Sequence, residues 1–226
     1  MLKNNTTSYH GPTNAFILHQ TAIAAYNCGN IAMALKFMAL ACARPEAPGQ
    51  CHRNHAEILH RCGRSVEAEA AARLAVRYDQ DCAEGWDTLG TILVDRGALM
   101  ESRDCYQMAV QIDPMFLQPL NNLAVVLHNL GQFEDAADCY RRALKLQPEN
   151  VEIQLNFANL LADLKRCREG LEIVKQVLDR CPENTGARRI ALEIKRNLMQ
   201  PASSRTAVER SCSAVPEARG YHDATG

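Results

Sequence analysis

The chain has 226 residues, with 25 Lys and Arg against 26 Asp and Glu for a net charge of −1. That balance lacks the basic footprint of a dedicated nucleic-acid binder, and no apolar stretch reaches the roughly 18 residues that a membrane-spanning helix needs. Hydrophobic residues make up 47% but aromatic residues only 5%, so a packed core would be built from Ala, Leu and Cys.

In chain order, residues 1–14 hold a single Lys and no apolar run. They read as a flexible N-terminus without a secretory signal, which implies a cytoplasmic protein. From residue 15 a period of 34 takes over: Gly29, Gly63, Gly97 and Gly131 recur at that interval, as do Ala41, Ala75, Ala109 and Ala143. A fixed period of this size with small residues at set offsets predicts helix–turn–helix units that bury their apolar faces by stacking. Five units are expected, over 15–48, 49–82, 83–116, 117–150 and 151–184. In the third, Trp86, Leu89, Gly90 and Leu93 follow the i, i+3, i+4, i+7 spacing of a buried helical stripe. The glycines supply the turn between helices, and Pro114, Pro148 and Pro182 end each second helix. In the fifth unit Lys165 stands where the turn glycine belongs, and Gly170 where the usual alanine does.

Residues 185–200 predict one further capping helix, with Ile190, Ala191 and Ile194 apolar among Arg188, Arg189, Glu193, Lys195 and Arg196. Residues 201–226 gain Ser, Pro, Gly and scattered charge, and are expected to be a disordered tail. The ten Cys follow the repeat: Cys28 and Cys62 share one position, Cys105 and Cys139 another. Equivalent residues on successive layers lie roughly 10 Å apart, beyond disulfide reach. Reduced, mostly buried thiols are the expectation.

The third unit's Trp86, Leu89, Gly90, Leu93, Gly97, Tyr106, Ala109 and Pro114 are matched in the fourth by Leu120, Leu123, Ala124, Leu127, Gly131, Tyr140, Ala143 and Pro148. This pattern resembles the tetratricopeptide repeat. The resemblance implies an all-α solenoid, a right-handed superhelix of antiparallel helix pairs, whose concave groove is lined by the first helix of each pair. It also implies a protein–protein interaction scaffold that binds an extended peptide or partner segment.

Within that groove Asn54, Thr88, Asn122 and Asn156 fall 34 residues apart. A row of amides offers donors and acceptors that clamp a peptide main chain whatever its side chains. The arrangement is similar to the asparagine ladder in the repeat region of SPINDLY and O-GlcNAc transferases, with Thr88 as the departure. Around it Arg53 and Arg61, Asp87 and Asp95, Asn121, His128 and Asn129, and Asn159 and Asp163 give a wall of mixed charge. Two alternatives stay open: a detached substrate-presenting region of such a glycosyltransferase, and a repeat protein that associates with itself as a homo-oligomer.

One cluster gathers soft and imidazole ligands, namely Cys51, His52, His55, His60 and Cys62. It lacks a clear fourth ligand, and His52 and His55 hold the packing positions of Trp86 and Leu89 one unit later. No metal and no cofactor is expected. Phosphate loops, nucleophile elbows and zincin spacings are absent, so no catalytic residue is assigned and the chain is not expected to be an enzyme.

Overall fold

The computed structural model describes residues 14–199; the expected N-terminal segment and the tail after 200 lie outside them except for Asn14. Eleven α-helices and no strand occur among the described residues: α1 (Asn14–Asn27), α2 (Ile31–Cys42), α3 (Gly49–Arg61), α4 (Ser65–Tyr78), α5 (Ala83–Asp95), α6 (Leu99–Ile112), α7 (Leu117–Asn129), α8 (Phe133–Leu146), α9 (Val151–Asp163), α10 (Cys167–Arg180) and α11 (Thr185–Met199). They form five helix pairs followed by a single helix. From α3 onward every first helix begins 34 residues after the previous one, and every second helix keeps the same interval from α2 to α10.

The hairpin turns share one hydrogen-bond pattern. The N–H of the residue after the turn position donates to the carbonyl five residues back: Asn30 to Ala25, Arg64 to Leu59, Ala98 to Leu93, Gln132 to Leu127 and Arg166 to Leu161, at 2.8–3.0 Å. This closure requires a left-handed residue at the turn. Gly29, Gly63, Gly97 and Gly131 supply it with φ of 74–77°, and Lys165 adopts φ 62° in the fifth hairpin. The second helices also end alike. Asp113, Gln147 and Cys181 are extended, with φ between −127° and −135°, directly before Pro114, Pro148 and Pro182. Asp79 takes the same conformation at φ −141° with Gln80 following, so packing alone imposes this bend where no proline does.

The chain divides into two compact units, residues 1–153 and 154–226. In the first, hairpins two and three share a core of Ala56, Leu59, Ala68, Ala72, Val76, Leu89, Ile92 and Leu93, with Trp86 against its edge. Each buried leucine there is worth about 2 kcal/mol in area removed from water. Small residues set the helix spacing: Gly90 faces Tyr106 so closely that a Cβ would lie 2.7 Å from its ring. In the second unit Leu160, Leu161, Val174, Val177, Ile190 and Ile194 are buried.

None of the nine described cysteines forms a disulfide. The expectation that most are buried needs correction: Cys51, Cys105, Cys139 and Cys167 are buried, but Cys28, Cys62 and Cys181 are exposed. Cys28 and Cys62 immediately precede Gly29 and Gly63, at hairpin tips that no neighbouring helix covers.

Candidate functional site: a polar face on the first helices

Within the first unit, the first helices of successive hairpins meet directly, α3 with α5 and α5 with α7. Polar side chains join them at a step of 35 residues, one more than the repeat. Nδ2 of Asn54 lies 2.8 Å from Nε2 of His19, Nε2 of His60 lies 2.6 Å from Oδ2 of Asp95, and Nδ2 of Asn122 donates to Oδ1 of Asp87 at 3.3 Å. Burial, with a smaller contribution from the charge of Arg53, holds His19 below the usual imidazole range. The ring is therefore neutral near pH 7 and Nε2 can accept from the amide.

Each of these amides spends one N–H sideways. That bond fixes the rotamer and leaves the carbonyl oxygen and the second N–H for other partners. Thr88 differs: its hydroxyl donates to the carbonyl of Glu84 in its own helix at 2.8 Å. What remains at that place in the row is acceptor capacity only. Asn54, Thr88, Asn122 and, in the second unit, Asn156 are all half-buried.

The surrounding residues vary in access. Arg53 is half-buried, and its Nε is sealed from solvent without a hydrogen-bond partner. Arg61 is exposed and donates to Glu57 at 3.0 Å. Asp87 is half-buried, and burial raises its carboxyl to about 6 against a smaller opposing effect of the Asn122 bond. Asp95 and Asn129 are exposed, while His128 is half-buried with its ring edge-on to Phe133 at 5.7 Å. Asn121 is buried at 6% exposure with Oδ1 unpartnered, the least accessible of the expected wall residues. On α9, Asn159 is half-buried and Asp163 exposed.

His19 and His60 carry two of the three lateral bonds and were missed in the sequence. The signal was there in the complementary pairs His19/Asn54 and Asp87/Asn122, but only a step of 35 reveals it.

The Cys/His cluster is dispersed. His52 is buried and stacked on Tyr78 with centroids 4.9 Å apart, His60 is engaged by Asp95, and Cys62 is exposed at a hairpin tip. Among the described residues no three His, Cys, Asp or Glu side chains gather as a metal ion would require, and no helix is long and apolar enough to cross a membrane.

Family models described as tetratricopeptide repeat match residues 49–73 and 118–150. No curated protein matches the chain. Among solved structures, a tetratricopeptide repeat protein from Parabacteroides merdae ATCC 43184 is 14% identical with a TM-score of 0.74, covering 88% of this chain and 79% of that one. YrrB, described as a TPR protein with an unusual peptide-binding site, is 17% identical with a TM-score of 0.70 over 81% of this chain and 92% of its own. MamA is 14% identical with a TM-score of 0.68, covering 73% of this chain and 90% of that chain. The fold is thus the all-helical one of tetratricopeptide-repeat proteins. The comparisons bear on the repeat itself and add nothing for a narrower kinship with O-GlcNAc transferases.

Proposed function

We propose that the chain is a non-catalytic cytoplasmic scaffold that holds an extended peptide segment of a partner protein against its first helices. The observation that carries this reading lies in the first unit, where the half-buried amides of Asn54 and Asn122 are locked from the side by His19 and Asp87. A side chain already fixed in place loses little entropy when it binds, so the cost of ordering falls on the peptide. Asparagine matches the peptide group donor for acceptor, which favours main-chain recognition over a particular sequence. Selectivity would then come from Arg53, Asp87, Asp95, His128 and Asn129 beside those amides in the same unit. YrrB, which shares the fold, offers a precedent for peptide binding by such a protein.

The test is a peptide selected from a random library on the wild-type protein, then titrated against a variant carrying Asn54→Ala and Asn122→Ala. Affinity should fall at least tenfold while the helical circular dichroism persists. N-methylation of the peptide backbone at central positions should weaken binding to a similar degree. A double variant that stays folded and binds the same peptide equally well would end this reading.

A further inference from the structure

Two positions in the first helices of hairpins two to four are buried throughout: the third, at Cys51, Gly85 and Pro119, and the tenth, at Ile58, Ile92 and Val126. Their cover is the preceding hairpin. Ile58 shares a core with Ala25, Ala34 and Met38 of the first hairpin, Ile92 shares one with Ala68, Ala72 and Val76 of the second, and a Cβ built on Gly85 would touch Val76 at 3.6 Å. In α1 the same two positions hold Ile17, which is 52% exposed, and Ala24, also exposed. Among the described residues nothing covers this side of α1.

The second helix continues that side. In the fourth hairpin, a groove floored by Val110 of α6 and Leu123 of α7 is walled by Asp135, Asp138, Cys139 and Arg142 of α8, so these positions of a second helix look toward the hairpin before. Stepping back by 34 residues, Asp135 is matched by Glu101 and Glu67, each an exposed acid, and Cys139 by Cys105 and Ala71, each small and buried. In α2 the two places hold Met33 and Phe37, and Leu40 takes the place of Arg142. Met33 is 46% and Leu40 41% exposed, while Phe37 is half-buried. Helices α1 and α2 together carry one charged residue, Lys36, whereas α3 and α4 carry seven.

The chemistry of this face selects its occupant. Surfaces that bind other proteins reversibly are about as polar as the rest of a protein's exterior, whereas homodimer contacts are markedly more apolar. The last described helix of another copy is a poor match, because α11 carries Arg188, Arg189, Glu193, Lys195 and Arg196. An uncharged face would desolvate such charges without pairing them. The same face of a second copy sets apolar surface against apolar surface. Only Lys36 then meets its counterpart, and a lysine stem lies along apolar surface with its ammonium in water.

We propose that the side of the first hairpin formed by Ile17 and Ala24 of α1 with Met33, Phe37 and Leu40 of α2 is a homodimer interface, occupied by the same side of a second copy. A two-fold contact of this kind closes at two chains. It is independent of peptide holding, since Asn54 and Asn122 lie on α3 and α7.

Under reducing conditions, sedimentation equilibrium on the full-length protein should give a dimer. Full-length Ile17→Asp with Leu40→Asp should weaken that dimer at least about a hundredfold, because four carboxylates would be buried in each contact, and should keep its helical circular dichroism. Met33→Glu, which installs the residue type that Glu67 and Glu101 hold at the same position, should weaken it at least about tenfold and decides the matter if the double variant does not fold. A wild-type monomer at every micromolar concentration would overturn the proposal and leave the face to a different protein. Growth beyond the dimer would overturn it by assigning the face to another part of a second copy, and so would a dimer of undiminished affinity in the folded variants.

Discussion

Asn122 on α7 donates a 3.3 Å hydrogen bond to the carboxylate of Asp87 on α5, a residue whose carboxyl burial has pushed up to about 6. The amide supports the charged form but does not fully offset its desolvation.

A pH dependence follows with a definite sign. The unfolded chain ionises Asp87 near its ordinary 3.8, whereas the folded one does so near 6, so this residue withdraws stability as pH rises through that window and the loss persists at pH 7. Asp87→Asn keeps an acceptor for Asn122 and removes the buried charge. It should stabilise the protein at pH 7 by roughly 1–2 kcal/mol, a figure discounted for a side chain that is only half-buried, and leave stability unchanged below about pH 4. Urea titrations of both proteins at pH 4 and pH 7 check this.

Gly90 is a packing glycine. Its Cβ would sit 2.7 Å from the ring of Tyr106, which is 2% exposed and hydrogen-bonded through its hydroxyl to Thr91 at 3.1 Å. The ring has no free direction in which to yield. Gly90→Ala should therefore cost about 1–3 kcal/mol despite its better helix propensity, and Gly90→Ala with Tyr106→Leu should recover part of the loss, as thermal melts would show.

Lys165 holds a left-handed turn that four glycines hold elsewhere. A side chain there costs on the order of 1 kcal/mol. Lys165→Gly is expected to raise stability by about 0.5–1 kcal/mol without altering helix content, measured by chemical denaturation with circular dichroism.

The frame was legible in the sequence because its punctuation is chemically narrow: only glycine enters the left-handed turn without strain, and only small residues fit where helices touch. Lys165 was readable as an exception for the same reason. The lateral bonds were not, because a repeat of 34 directs attention to equivalent positions, while the contacts join the fifth position of one hairpin to the sixth of the next, or the twelfth to the thirteenth. Asn122 was visible as one of a row; that Asp87 braces it was not. The exposure of Cys28 and Cys62 was likewise hidden, since shared periodicity says nothing about whether a position lies in the core or at a hairpin tip.

The bonds from His19 to Asn54, from His60 to Asp95 and from Asp87 to Asn122 each belong to two hairpins at once. The hairpins share one backbone plan, yet they are not interchangeable parts. Transposing the second and fourth would set imidazoles and carboxylates beside strangers and leave a desolvated carboxylate unbraced, so the linear order of the modules is itself encoded along their seams.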